Sequence, residues 1–166
     1  MNDYATKYCL AAAVTPTSRG QDALACLRRA VVEAERVLAL DDLRADRGEM
    51  DVVDAGDLVT GQAPAPIAVV TDNGPCFGGT VFADAFASDD PVLRHVRTRV
   101  RSPQTYGVVE RFFGTVKYEH LYRAIIGDGN AVEINCFRQT YNALRPHQAL
   151  DDRTPRQAYL TGLEST

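Results

Sequence analysis

The sequence predicts an α/β fold in which strands and helices alternate along one chain of 166 residues. A short, fully apolar run at residues 67–71 is typical of a buried strand in a parallel arrangement. Helical periodicity precedes this run at residues 17–40 and follows it from about residue 104. A chain of this length can build one ordinary hydrophobic core but not two comfortable domains.

The first half of the chain contains one predicted strand, one long helix and one loop. Residues 4–14 are rich in aromatic and apolar side chains and end at a Thr-Pro pair, which predicts a strand. Thr17 or Ser18 can cap the helix that follows, to about residue 40. Its apolar face consists of Leu24, Leu27, Val31, Ala34 and Leu38. Residues 41–66 are acidic, rich in Gly and Pro and poorly periodic, so we expect an exposed loop insertion.

The second half continues the alternation after the strand at residues 67–71. The predicted elements are a short helix at 79–87, a strand at 95–101, a helix from about 104 and a helix at 131–144. The apolar stripe of the helix from about 104 consists of Val109, Phe112, Phe113, Val116 and Leu121. We therefore expect a single core domain over residues 1–160 and a short tail at 161–166.

The net charge of −4 conceals an uneven distribution. Residues 1–93 carry 7 Lys and Arg against 15 Asp and Glu, whereas residues 94–156 carry 11 against 6. Local potential, rather than total charge, steers a polyanion, so the basic second half is compatible with a nucleic-acid surface. A solvated basic helix explains the same composition equally well.

Composition and patterning also exclude several classes of protein. The longest apolar runs are far too short to span a bilayer, and no charged-then-apolar leader opens the chain. We therefore expect a cytoplasmic protein without a membrane partner. A small-molecule cofactor is not expected either. Four scattered cysteines lack a CxxC pair or a clustered histidine, which argues for reduced thiols rather than disulfides or a zinc site.

A candidate catalytic carboxylate follows the strand at residues 67–71. Asp72 lies directly beyond the end of this strand, where ligands of open α/β sheets bind. Asn73 and Gly74 let the backbone turn away and leave the carboxylate exposed. The same tripeptide is also an ordinary turn, which is the more frequent interpretation when it stands alone.

A second candidate carboxylate, Glu110, lies on the first turn of a predicted helix, where Gly107 allows close approach. Glu110, Gly114 and Lys117 share one face at i, i+4 and i+7. On that face Glu110 could bind a metal ion, Gly114 leaves room for a DNA backbone, and Lys117 could contact a phosphate. An acid and a base on an ordinary exposed helix surface can have the same spacing. Two carboxylates with a nearby cation suit magnesium-assisted phosphodiester chemistry.

Other basic residues allow two interpretations. Arg97, Arg99 and Arg101 alternate, so a strand would place them on one side as a row for phosphates or, equally, as a solubilising edge. His147 stands beside Arg145 and is more simply explained as a cation that stabilises the end of a helix.

Together these motifs carry a family resemblance. The chain resembles the catalytic core of the retroviral-type integrase and transposase superfamily, and within it the bacterial insertion-sequence transposases. The matching motifs are Asp72-Asn73-Gly74 with Phe77, Ser102-Pro103-Gln104, Gly107-Val108-Val109-Glu110-Arg111, Lys117, Tyr141-Asn142, Arg145-Pro146-His147-Gln148-Ala149-Leu150 and Thr154-Pro155. They extend over about residues 67–159, so the resemblance rests on several motifs rather than on one short pattern.

The resemblance implies a ribonuclease-H-like mixed sheet flanked by helices, with a catalytic triad of two aspartates and a glutamate. Asp72 matches the second aspartate and Glu110 matches the glutamate, with 37 residues between them. In the intact family the triad would hold two Mg²⁺ or Mn²⁺ ions for DNA cleavage and joining. The implied DNA-binding positions are Asn73, Gly74, Arg111 and Lys117. The implied partners are element ends and target DNA, bound by a homo-oligomer associated with the bacterial nucleoid.

Two features depart from the family's pattern. The family's first catalytic aspartate lies on a central strand upstream of a segment that Asp3 and Thr6-Lys7 resemble. We therefore expect this chain to lack that strand and to be a truncated form. Tyr106 stands where the family usually has a small polar residue, so its phenol could crowd the DNA path. Two alternatives stay open: an inactive nucleic-acid-binding or assembly remnant of a transposase, and a ribonuclease-H-like nuclease with another substrate.

Overall fold

The computed structural model describes residues 1–43, 66–87, 92–98, 110–121 and 130–162. The helices and strands in chain order are α1 (Gly20–Leu38), β1 (Ile67–Thr71), α2 (Thr80–Ala83), β2 (Leu93–Arg97), α3 (110–121), α4 (Asn130–Leu144) and α5 (Pro155–Thr161). Short 3-10 turns lie at Pro75–Phe77, Asp84–Phe86 and Gln148–Leu150. Strands and helices alternate from α1 to α3, which confirms the predicted α/β class.

The two strands of the described residues form a parallel pair, as the apolar run at 67–71 predicted. The register places Ile67 opposite Leu93 and Thr71 opposite Arg97. The expected full burial of β1 is wrong, because Ile67 and Val70 are 43% and 50% exposed. A continuous apolar run indicates a strand, but coverage of its two faces depends on tertiary packing. Here α1 packs mainly against α2 and the turn that precedes it.

The first helix follows its predicted pattern closely. α1 begins after Arg19, one residue beyond the nearer predicted cap, Ser18. The carboxylate of Asp22 accepts a hydrogen bond from the backbone N–H of Arg19 at 3.3 Å. The predicted apolar face is confirmed, because Leu27 and Ala34 are buried and its other three members are half-buried.

Residues 4–14 do not form the predicted strand. The carboxylate of Asp3 accepts hydrogen bonds from the backbone N–H and the hydroxyl of Thr6, at 2.7 and 2.6 Å, and so closes a turn. Such local side-chain bonds compete with strand pairing. The folded-back segment makes a single antiparallel bridge between Asn2 and Cys9. Its apolar composition therefore reflects burial rather than membership of a sheet.

The main hydrophobic core joins this N-terminal segment to α3 and α4. Its members are Cys9, Phe112, Val116, Ile134, Phe137 and Tyr141, with Ala12 packed at its edge. The predicted stripe of α3 is confirmed for Phe112 and Val116 but is wrong for Phe113, which is 54% exposed. One residue step rotates a side chain by about 100° around a helix, which carries Phe113 beyond the arc that packs against α4.

The segment after α4 is ordered, as predicted. The hydroxyl of Thr154 accepts a bond from the backbone N–H of Gln157 at 3.3 Å, and the Gln157 side chain accepts one from the backbone N–H of Thr154 at 2.9 Å. This capping box starts α5 with the buried Pro155 in its first turn. The ring of Tyr159 then stacks on Tyr8 at a centroid distance of 4.7 Å, which fixes α5 to the N-terminal segment.

Several predicted features lie outside the described residues. The acidic loop at 41–66 is described only at its ends, and the tail at 161–166 only at its first two residues. The motif at 102–109, which includes Tyr106 and Val109, also lies outside them, as do Arg99 and Arg101. All four cysteines are free. None of the helices in the described ranges is long and apolar enough to cross a membrane.

Candidate active site

Asp72 lies directly beyond the carboxyl end of β1, in an exposed turn. Its Oδ1 accepts a hydrogen bond from the backbone N–H of Gly74 at 2.8 Å, which holds the carboxylate in one orientation. A Cβ atom at position 74 would lie 2.9 Å from this same oxygen. The absence of a side chain at Gly74 is therefore what permits the observed position of the carboxylate.

Asn73 fixes this turn to the end of the parallel strand pair. Its Nδ2 donates to the carbonyl oxygen of Thr98, just after β2, at 3.0 Å. The backbone N–H of Thr98 in turn donates to the carbonyl oxygen of Thr71 at 2.9 Å. Because these bonds join the residues that follow β1 and β2, the Asp72 turn is anchored to both strands.

A polar pair supports the turn from within the sheet. Oγ1 of Thr71 lies 2.7 Å from Nε2 of His95, and the same hydroxyl donates to the carbonyl oxygen of Asp72 at 3.0 Å. Since a hydroxyl carries one hydrogen, His95 Nε2 donates the proton of the shorter bond. Burial, with Phe86 stacked on the ring, and the nearby charge of Arg97 lower the pKa of His95 below its ordinary value. A neutral imidazole with its hydrogen on Nε2 therefore supports the Asp72 turn.

The predicted row of three arginines is described only at its first member. Nη2 of Arg97 donates to the carbonyl oxygen of Phe77 at 3.0 Å. Arg97 therefore ties β2 to the turn that follows the Asp72 segment. In the described structure, Arg97 stabilises the chain segment that follows Asp72.

Glu110 and Lys117 both lie on α3 with exposed side chains. Phe112 and Val116 of the same helix face the core, so the predicted acid and base lie on the side of α3 away from the core. The helix changes to a π turn at Val116–Leu121. The π turn begins only one residue before Lys117. The Lys117 side chain is therefore rotated little and stays on the same face of α3 as Glu110.

Arg111 is also exposed on α3, and its carbonyl oxygen accepts a bond from the hydroxyl of Thr115 at 3.0 Å. The predicted DNA-binding positions thus fall into two groups. Asn73 and Gly74 lie at the end of the strands, whereas Arg111 and Lys117 lie on α3.

The donor chemistry of the two carboxylates fits a hard cation. Asp72 and Glu110 offer exposed oxygen ligands, which Mg²⁺ prefers. Magnesium is usually held by one or two carboxylates with water and substrate phosphates, rather than by a cage of protein ligands. Within the described ranges, no group of three or more His, Cys, Asp or Glu side chains could hold a metal ion.

His147, in the motif that follows α4, is not a cation at the end of a helix. Burial and the charges of Arg145 and Lys7 lower the pKa of its imidazole. Its ring packs edge-on against Tyr141 at a centroid distance of 5.1 Å. Arg145 instead forms an ion pair with Glu119, which links the end of α4 to α3.

A second polar cluster lies between α1 and α4 and was not predicted from the sequence. Oε1 of Glu33 accepts from the hydroxyl of Tyr8 at 3.0 Å and pairs with Nη1 of Arg138 at 2.9 Å. Arg36 donates to both oxygens of Glu33, at 2.9 and 3.0 Å. Burial would raise the pKa of Glu33, but the hydrogen bonds from Arg36, Arg138 and Tyr8 outweigh it and lower the pKa to about 2. The i, i+3 spacing of Glu33 and Arg36 was visible in sequence, whereas the long-range contact with Arg138 was not.

Comparison with known proteins shows what this chain is similar to. Residues 92–155 match the family described as Integrase core domain. The matched range contains Glu110, Arg111 and Lys117, and it ends where α5 begins. This part of the chain is therefore similar to an integrase core domain, as the family resemblance predicted.

The relatives are insertion-sequence transposases. The chain is 32% identical over 98 residues to the transposase InsD for insertion element IS2A/D/F/H/I/K of Escherichia coli. It is equally similar to the transposase InsD for insertion element IS2-9 of Escherichia coli strain K12. Each alignment covers 56% of this chain, and the chain spans between 30% and 43% of the length of such relatives. The predicted likeness to bacterial insertion-sequence transposases is confirmed.

Proposed function

We propose that this chain is part of the catalytic core of a DNA transposase, which cleaves and joins DNA strands by metal-dependent phosphoryl transfer. The observation that carries the proposal is the exposed side of α3, where Glu110 and Lys117 lie within the range that matches the Integrase core domain. The names of the InsD relatives support transposition as the reaction. In this proposal β1 and β2 are two strands of a ribonuclease-H-like mixed sheet.

Asp72 and Glu110 would be the catalytic carboxylates and would together hold Mg²⁺ or Mn²⁺. A bound divalent ion would stabilise the negative charge that develops on phosphate oxygens during strand cleavage. The bond from Gly74 N–H and the anchoring of Asn73 keep the Asp72 carboxylate in position before DNA arrives. Such preorganisation reduces the ordering that must accompany reaction.

The basic residues of α3 would position the DNA backbone. Lys117 places a flexible ammonium group on the same side of α3 as Glu110. Arg111, the residue after Glu110, adds a planar guanidinium group. Phosphate contacts of this kind set the position of DNA without reading its sequence. Element ends and target DNA would be the substrates, and the protein would act as a homo-oligomer.

An inactive nucleic-acid-binding or assembly remnant is the second candidate. One observation suits it: Arg111 and Lys117 are exposed on α3, and contacts from these side chains to DNA phosphates need no metal ion. A protein of this kind would keep its affinity for DNA through Lys117 and Arg111 but would not cut.

Metal-dependent nicking of end-labelled duplex DNA tests the proposal. We expect Mn²⁺ or Mg²⁺ to support nicking, and expect Asp72→Asn and Glu110→Gln each to reduce it by roughly 100-fold or more. Asp152→Asn, an exposed carboxylate after α4, is the matched control and should leave the rate unchanged. Full nicking by Glu110→Gln would overturn the catalytic assignment. DNA binding without nicking in either metal would favour the remnant.

A further inference from the structure

A second basic site lies between α1, α4 and α5. These helices enclose a cleft of about 370 Å³, near the lower end of the range for ligand pockets. Glu33 and Arg36 line it from α1, Arg138 and Gln139 from α4, and Arg156 from α5. None of its lining residues belongs to α3.

The orientation of α4 separates this cleft from the candidate active site. Phe137 and Tyr141 pack against Phe112 of α3 at centroid distances of 6.0 and 5.1 Å. Arg138 and Asn142, which line the cleft, come one residue later in each case. One residue step is a rotation of about 100° around the helix, so the cleft opens on a different face of α4.

The cleft carries an excess of positive charge. Its lining contains three guanidinium groups and a single carboxylate, which leaves two positive charges uncompensated. Glu33 is largely buried and is held by Arg36, Arg138 and Tyr8, so it is fixed as the floor of the cleft. Local excess charge of this kind attracts anions despite the negative net charge of the chain.

The three arginines differ in how many donors remain available. Arg138 is largely buried, and its Nη1 and Nε donate to Glu33 and to Asn135 at 2.9 and 3.1 Å. Arg36 uses Nε and Nη2 on Glu33 but is 61% exposed at the rim. Across the described ranges no hydrogen bond engages Nη1 of Arg36 or the guanidinium of Arg156. Both residues line the cleft and are exposed, so these donors remain available to a bound anion.

We propose that this cleft binds a backbone phosphate of nucleic acid through Arg36 and Arg156, as a second contact separate from α3. Guanidinium groups present paired N–H donors that match phosphate oxygens, and the ion pair with Glu33 holds one of them in place beforehand. Arg138, which is largely buried, adds positive charge to the cleft. The inference rests on the proposed function only for the identity of the anion, because it requires binding and not cleavage.

Fluorescence anisotropy with a labelled 20-base-pair duplex in EDTA tests the inference across a salt series. We expect the double variant Arg36→Gln/Arg156→Gln to weaken binding about fivefold or more and to reduce the salt slope by about one to two units. The control is Arg28→Gln/Arg29→Gln, which removes the same charge from exposed positions of α1 outside the cleft. The control should change affinity less than twofold. Equal losses in both double variants would overturn the proposal, because only long-range charge would then matter.

Two further single variants distinguish a loss of phosphate binding from a loss of stability and from a loss of the α3 contact. Arg156→Gln alone breaks no described hydrogen bond, so it should weaken binding while leaving the thermal midpoint unchanged. A normal affinity in this single variant would count against the cleft. Lys117→Ala tests the α3 contact in the same assay. If Lys117→Ala weakens DNA binding while the variants of Arg36 and Arg156 bind normally, the proposal for the cleft is wrong and the α3 contact stands. Failure of the unmodified chain to bind duplex at 50 mM salt would overturn both the cleft and the proposed function.

Discussion

The side-chain amide of Asn142 bonds both backbone groups of Cys9. Its Nδ2 donates to the carbonyl oxygen of Cys9 at 2.9 Å, and its Oδ1 accepts from the N–H of Cys9 at 2.8 Å. Both residues are buried, so the amide replaces the backbone partner that a neighbouring strand would supply. This contact joins the N-terminal segment to α4, between residues that lie 133 positions apart in the sequence.

Asn142→Ala should therefore destabilise the protein by about 2–3 kcal/mol, because it leaves both backbone groups of Cys9 buried without partners. Urea unfolding followed by circular dichroism measures the change. Gln139→Ala, an exposed amide on the same helix, is the control and should cost less than about 0.5 kcal/mol. Similar midpoints for the two variants would show that the amide does not support the N-terminal segment.

The neighbouring phenylalanines of α3 should respond very differently to truncation. Phe112→Ala should cost about 3–5 kcal/mol, because the residue is 8% exposed and its ring packs against both Phe137 and Tyr141. Phe113→Ala should cost less than about 1 kcal/mol, because more than half of that side chain is exposed. Urea unfolding of both variants provides an internal comparison. A larger loss at position 113 than at 112 would mean that the register of α3 is wrong.

The stability of the protein should fall in acid through Glu33. Because the folded state lowers the pKa of Glu33 from 4.5 to about 2, the carboxylate contributes stability above pH 4.5 and loses it as the pH falls towards 2. We expect a contribution on the order of 1–2 kcal/mol, allowing for solvent screening of the exposed Arg36. Unfolding measured from pH 6 to pH 2 should show a shallower decline for Glu33→Gln than for the wild type. Parallel pH profiles would rule out this ion pair as the source.

The backbone at Gly74 should control the position of the Asp72 carboxylate. In Gly74→Ala the added Cβ would lie 2.9 Å from Oδ1 of Asp72, so the carboxylate must move. Nicking in Mn²⁺ should fall about tenfold or more, since small displacements of catalytic groups are costly. Gly79→Ala is the control because open space surrounds its added Cβ. Both variants should keep the wild-type thermal midpoint; equal nicking rates would separate Gly74 from the function of Asp72.

The extent of prediction from sequence differs between local and long-range features. β1, α1 and α4 were each predicted within a few residues, because periodicity, capping residues and β-branched content are local properties. The predicted strand at residues 4–14 failed because Asp3 closes a turn there, and a side-chain bond of that kind overrides composition.

By itself, the sequence determined the alternation of elements, the turn beyond β1 that carries Asp72, and the helix that presents Glu110 opposite its core-facing residues. Local propensity and residue spacing suffice for those features. Only the tertiary structure decided that the apolar β1 is partly exposed, that the side chain of Asn142 bonds the backbone of Cys9, and that one cleft is lined by Arg36, Arg138 and Arg156. Such features depend on contacts between segments that are distant in sequence. These contacts form only when folding brings the segments together, at a cost in chain entropy that local patterns do not reveal.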